Sequence, residues 1–236
     1  MKRAIWGVPR QMPGSRLEAV IWDMDGVIAD TARYHFQAWQ EIFQERGIDF
    51  TREVFRRYFG QRNDTIIRDN IGREISSEEV YAIADEKEER YRRLMAHDIK
   101  SLPGAVELLE LLGERGVKMA VASSAPLENI ELITRSLGIY NYFQAIVWGG
   151  EVAEGKPSPQ GFLMAAEKLG VEPRSCLVAE DAVAGVAAAK KGGMKCLAIT
   201  TNHPEASLKE ADLVVDTLEA LDLDDLERLF GSPREA

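Results

Sequence analysis

The sequence predicts an α/β fold, a doubly wound parallel (Rossmann-like) sheet carrying one inserted all-helical cap domain. Three observations carry this. Short apolar runs recur along the 236 residues, helical patterns lie between most of them, and one long stretch, residues 32–97, reads as helix after helix with no strand.

The first run covers residues 17–22 and ends at Asp23. Others follow at 118–122, 145–148, 176–179, 196–199 and 213–215. Their near-continuous apolarity suits strands covered on both faces, as in a parallel sheet. Helical patterns at 106–115, 127–137 and 159–169 separate them, with Gly116, Gly138 and Gly170 placed where those helices should stop. Within the insertion, Phe36, Trp39, Gln40 and Phe43 form one amphipathic stripe and Val54, Phe55, Tyr58 and Phe59 a second. Val80, Ala84, Tyr91 and Leu94 form a third. Leu102-Pro103-Gly104 marks the return to the sheet. The expected division is a core of residues 1–31 and 98–236 and a cap of residues 32–97.

Composition narrows the setting. A 45% hydrophobic content supports a packed core, and no apolar run approaches the roughly 18 residues that span a bilayer. Residues 1–16 contain Lys2, Arg3 and Arg10 without an uninterrupted apolar stretch, unlike a secretory signal. Cys176 and Cys196 are the only cysteines, so no disulfide framework is expected. A cytoplasmic protein follows as the expectation, a monomer or small homo-oligomer, with Trp6 and the rest of residues 1–16 given no role beyond contacts. The net charge of −10 argues against nucleic acid and against an anionic membrane surface. It does not exclude a small anionic substrate, because a few lysines or a metal ion reverse the field of one pocket.

In open α/β sheets, ligands sit beyond the carboxyl ends of the strands. Asp23-Met24-Asp25-Gly26-Val27 follows the first run, Ser123-Ser124 the second, Lys156-Pro157 the third after a loop, and Glu180-Asp181 the fourth. Each has a bland reading: a turn, a helix start, a solvated lysine, a helix cap. Four such segments at four successive strand ends point instead to one site. Phosphoryl transfer needs this set. Asp23 suits the nucleophile that forms an aspartyl-phosphate. Asp23 and Asp181 supply hard oxygens for magnesium, Lys156 offsets the remaining negative charge, and Ser123 donates to a phosphate oxygen. Asp25 is placed as general acid and then base.

These motifs, in this order and over nearly the whole chain, resemble those of the haloacid dehalogenase superfamily, with the helical insertion where that family carries its cap. The segment from Asp25 to Trp39 is similar to the branch of β-phosphoglucomutase and its phosphatase relatives. The resemblance implies magnesium held by Asp23, the main-chain carbonyl of Asp25 and Asp181, with Glu180 nearby. Dehalogenases of the superfamily lack the second aspartate, so Asp25 speaks against carbon–halogen hydrolysis.

A covalent phosphoryl intermediate requires control of water, which a closing cap supplies. Thr31-Ala32-Arg33 and the return near Ser101 are the expected hinges. His35 and Trp39 share one helix face, either at the cap core or beside the substrate. Lys87 lies on the apolar stripe, away from the charged face assigned to Glu88 and Glu89, and is either a snorkelling lysine or a cation aimed at the site. With Thr31, Gly60, Asn63 and Ser124, these residues are the expected substrate contacts. In the mutase-like pattern, the loop Gly60-Gln61-Arg62-Asn63-Asp64 carries an arginine for the second phosphate of a bisphosphate; here Asn63 fills that place. Pro126 stands where such sequences have a lysine. Both departures remove positive charge, which favours a magnesium-dependent phosphatase of a small phosphorylated metabolite such as a sugar phosphate. The alternative is a β-phosphoglucomutase interconverting β-glucose 1-phosphate and glucose 6-phosphate. A silent binding module has no physical need for Asp23, Asp25, Lys156 and Asp181 together. No Gly-rich nucleotide fingerprint follows any run; Gly149-Gly150 and Gly192-Gly193 read as loop glycines.

Overall fold

The computed structural model describes residues 16–96 and 98–231; the expectations on residues 1–15, Trp6 among them, lie outside these. Six parallel strands form one sheet in the order β3-β2-β1-β4-β5-β6: β1 (Ala19–Trp22), β2 (Lys118–Ala122), β3 (Ala145–Val147), β4 (Cys176–Glu180), β5 (Lys195–Ile199) and β6 (Leu213–Val215). The chain builds one half of the sheet outward from β1 and then returns to build the other half beside it. The crevice where the strand order reverses lies at the end of β1, which is where ligands bind in such sheets.

Alternation along each strand feeds two separate cores. Val20, Trp22, Met119, Val121, Leu177 and Ala179 pack on one face with α5 (Ala105–Glu114) and α6 (Leu127–Ser136). Ala19, Ile21, Ala120, Ala122 and Val178 pack on the other with α7 (Gln160–Leu169) and α8 (Val183–Lys191). This double burial is why the strands read as apolar runs and not as alternating patterns. A short α9 (Leu223–Arg228) closes the described chain, adding Leu226 to the first core. Gly116, Gly138 and Gly170 all take positive φ just beyond their helices, as expected.

The insertion is a four-helix cap: α1 (Ala32–Gln44), α2 (Arg52–Tyr58), α3 (Asn63–Ile71) and α4 (Ser77–Met95). Its own core holds Phe36, Trp39, Ile42, Phe43, Phe50, Phe55, Ile67 and Ile83. Gln40 does not belong to that stripe; it is exposed, one turn-step off the buried face. The outgoing and returning linkers run antiparallel. Asp30 N donates to Lys100 O (3.0 Å), Leu102 N donates to Ile28 O (2.8 Å), and Ala29 bridges Ser101. Among the described residues no helix is long and apolar enough to cross a membrane.

Candidate active site

Strand register brings the core motifs together. Trp22 pairs with Ala179 of β4 and with Val121 of β2. Asp23 therefore stands beside Glu180-Asp181 on one side and the approach to Ser123 on the other, and its N–H donates to Ala179 O (2.9 Å). Asp23, Glu180 and Asp181 are all buried, and each offers an oxygen within 4.8 Å of the others. Gly26 makes this packing possible. Its φ is +83°, and a Cβ there would lie 2.2 Å from Asp181 Oδ2, so a side chain would expel the carboxylate.

One ammonium group serves this cluster. Lys156 Nζ lies 3.0 Å from Asp23 Oδ1 and 2.7 Å from Glu180 Oε2. The other Glu180 oxygen accepts the Ala182 N–H (3.0 Å). Asp181 Oδ2 accepts from Asn202 Nδ2 (2.7 Å). Asp23 Oδ2 and Asp181 Oδ1 remain buried with no hydrogen-bond partner. Unsatisfied buried carboxylate oxygens are costly. Burial, then Lys156 against Glu180 and Asp25, leaves the Asp23 carboxyl pushed up to about 7. Burial and the neighbouring Glu180 and Asp23 push Asp181 well up too. Burial alone would lower the Lys156 ammonium, but Asp23 and Glu180 outweigh it and hold it charged. Two orphaned hard oxygens on residues of a carboxylate cluster within 4.8 Å fit a divalent cation.

The Asp25 carboxylate, by contrast, is engaged by the cap side. Its Oδ1 accepts from Thr31 Oγ1 (2.6 Å), contacts His35 Nε2 (3.1 Å) and lies 3.4 Å from Tyr91 OH. Burial would raise Asp25, but His35, Thr31 and Lys87 hold it below the usual carboxylate range. Of the expected metal set, the Asp25 side chain is thus committed elsewhere, leaving its main-chain carbonyl. Glu180 spends both oxygens on Lys156 and Ala182. Thr31, expected at the substrate, is buried against Asp25 instead.

His35 stacks on Tyr91, their ring centroids 3.9 Å apart. A carboxylate accepts and an ammonium donates, so the ring between Asp25 and Lys87 carries its hydrogen on Nε2 and accepts at Nδ1, 2.8 Å from Lys87 Nζ. Lys87 does not snorkel; it is 1% exposed. Its ammonium also donates to Glu88 Oε1 (2.8 Å) and sits 5.2 Å over the Trp39 ring. Trp39 packs in the cap core against Phe43 and forms part of the cavity floor, so the two expected positions are one.

Glu88 overturns its assignment to the charged face: it is buried. Oε1 accepts from Asn63 Nδ2 (2.7 Å) as well as from Lys87, and Oε2 accepts from Asn129 Nδ2 (2.6 Å) on α6. Burial would raise this carboxyl, yet Lys87, His35 and Asn63 lower it. A cavity between cap and core is lined by Asp23, Asp25, His35, Trp39, Gly60, Asn63, Lys87, Glu88, Ser123 and Ser124. Ser123 and Ser124 are not helix caps. Ser123 Oγ accepts the Ala125 N–H (3.1 Å), and Ser124 Oγ donates to Gly60 O (3.0 Å), tying core to cap. Arg62 turns away from this cavity, bonding Val152 O and Asp64. Asn202 and His203, whose Nδ1 meets Asp181 O at 3.0 Å, complete the cluster from the loop after β5.

The chain is similar to proteins already known. A β-phosphoglucomutase of Bacillus subtilis (strain 168) is 37% identical over 84% of this chain and 89% of its own. A phosphorylated carbohydrates phosphatase of Thermotoga maritima is 33% identical over 76% of this chain and 83% of its own. The crystal structure of a β-phosphoglucomutase from Clostridium difficile superposes with a TM-score of 0.82 at 31% identity, covering 91% of this chain and 97% of that one. The family model of haloacid dehalogenase-like hydrolases matches residues 17–193, which contain Asp23, Asp25, Ser123, Lys156, Glu180 and Asp181. The chain belongs to the haloacid dehalogenase-like hydrolases.

Proposed function

We propose that this protein is a metal-dependent phosphatase that hydrolyses a small phosphorylated metabolite, a sugar phosphate, through a phosphoryl-Asp23 intermediate. The observation that carries it is the pair of orphaned oxygens on Asp23 and Asp181 beside a lysine already shared by Asp23 and Glu180. Asp23, Asp181 and the Asp25 main-chain carbonyl would hold the cation, for which magnesium is the chemical match. Bound there, the ion neutralises phosphate charge and lets an anionic nucleophile meet an anionic ester.

The chain's own groups do the rest. Asp23 attacks phosphorus, Lys156 and the Ser123 hydroxyl bind the phosphoryl oxygens, and the P–O bond to the leaving group breaks as Asp25, a carboxylate at rest that takes up a proton as the substrate binds, gives that proton to the leaving oxygen. Asp25, now a carboxylate held by Thr31 and His35, removes a proton from the water that attacks phosphoryl-Asp23. The cap, residues 32–97, hinged near Thr31 and Ser101, covers the site and excludes other water.

A β-phosphoglucomutase is the second reading, favoured by the His35–Lys87 pair and by the 37% identical relative. A mutase must grip phosphate at both ends of its intermediate, and Asn63 and Pro126 offer no cation for the second. Phosphate release from a panel of sugar phosphates, measured against conversion of β-glucose 1-phosphate to glucose 6-phosphate, separates the two. Release without isomerisation is expected; efficient isomerisation with little release contradicts the phosphatase reading.

A further inference from the structure

We infer that the cap end of the cavity takes a neutral, hydroxyl-bearing leaving group and rejects one carrying a second phosphate, with Glu88 as the selecting residue. This rests on the phosphatase reading and names its substrate class. A chain of contacts leads away from Asp25 through His35 (3.1 Å) and Lys87 (2.8 Å) to Glu88 (2.8 Å) and Asn63 (2.7 Å). Glu88 and Asn63 therefore stand at the far end of that chain of contacts and line the same cavity as Asp23 and Asp25.

Charge decides what fits there. Lys87 is the sole lysine or arginine among the described lining residues, and its ammonium is paired with Glu88 inside the protein. Arg62 is spent on Val152 and Asp64, Arg90 on Glu45 and Glu86, and Arg92 on Asn129. A phosphate dianion placed at this end would meet a buried carboxylate with no free cation. Like charges in a desolvated space repel strongly. A hydroxyl has the opposite fit: each carboxylate oxygen has two acceptor sites, and Asn129 takes only one on Oε2. Phe55, Tyr58 and Phe59 supply the apolar remainder of the wall. The built-in partners of Glu88, from Asn63 on α3 to Asn129 on α6, fix the carboxylate in position, which a surface glutamate would lack.

The test compares matched pairs: fructose 1-phosphate with fructose 1,6-bisphosphate, and glucose 6-phosphate with β-glucose 1,6-bisphosphate. Phosphate release gives kcat/KM for each, with p-nitrophenyl phosphate reporting the chemistry alone. The native protein is expected to favour the monophosphate of a pair by roughly 10²-fold. Glu88→Gln, checked for folding by circular dichroism, should narrow that ratio about tenfold or more, since it removes the charge and keeps the shape. Asn63→Arg, which adds a cation beside Glu88 and needs no change at the carboxylate, should narrow it too. Because the readout is a ratio within one variant, a loss of activity common to both substrates cancels. Equal or better use of bisphosphates by the native protein overturns the inference, as does a ratio unmoved in both variants. Hydrolysis of p-nitrophenyl phosphate with no sugar monophosphate cleaved also overturns it, while leaving the phosphatase reading intact. Release from none of the compounds, p-nitrophenyl phosphate included, defeats the phosphatase reading and this one with it.

Discussion

On the core side of the cavity, two of three clustered buried carboxylates share one ammonium group, and two oxygens of the three residues have no partner. On the cap side, one buried carboxylate, Glu88, receives hydrogens from Lys87, Asn63 and Asn129. Burial opposes ionisation in both places. It prevails at Asp23 and Asp181, which are pushed up, and is overcome at Glu88 and Asp25, which are held down. The core cluster is thus an incomplete electrostatic system that needs a cation and a phosphate to close it. The cap network is complete by itself. One side is built to change charge during a reaction; the other is built to keep a shape.

The sharpest way to break this contrast is to disable each side in turn. Asp23→Asn removes the nucleophile but also relieves a buried, under-paired charge. Phosphate release should fall roughly 10⁴-fold or more while thermal stability holds or rises. Steady-state rates and a melting curve check both halves. Lys87→Met does the reverse damage. It leaves Glu88 buried without its cation and should cost about 3 kcal/mol in denaturant unfolding. Adding Glu88→Gln to that variant should restore most of the loss, because the pair is then removed together.

A smaller effect follows from the pKa shifts. In the metal-free protein Asp23 is pushed up to about 7 against an ordinary value of 3.8. The folded state therefore binds more protons than the unfolded chain between those values. Its contribution to stability is fully present below the unfolded value and is lost as pH rises through about 7. Asp181 shifts the same way. The rise in melting temperature on adding magnesium after chelation should accordingly be larger near about pH 8 than near about pH 5. An equal rise at both would place the ion elsewhere. The smallest expected effect is that of Ser124→Ala, which removes the hydroxyl bond from core to the Gly60 carbonyl. About 0.5–1 kcal/mol of stability should go, with turnover nearly kept.

The same contrast explains what could be read from the sequence. Asp23, Ser123 and Asp181 were visible because a parallel sheet fixes them: Trp22 pairs with Val121 and Ala179, so the residues beyond each strand are neighbours whatever the loops do. The same rule extended to β5 would have found Asn202 and His203, which follow Ile199 by only a few residues. Lys87 stood out as a charge on an apolar stripe. Glu88 did not, because one step along a helix turns the side chain by about 100°. Its carboxylate is held by Asn129, 41 residues away on α6. The hydroxyls of Ser123 and Ser124 looked like a helix start, yet α6 begins after Pro126 with no side-chain cap. Local patterns identify such donors without saying whether helix or cavity will use them.

The central claim is that Asp23 carries the phosphoryl group. Asp25→Asn, which removes the base for the second step, should let the intermediate accumulate on mixing with p-nitrophenyl phosphate and magnesium. Acid quenching and peptide mass spectrometry would then find one phosphoryl group on the peptide containing Asp23. A phosphoryl group on another residue, or substantial turnover by Asp23→Asn, would contradict the account.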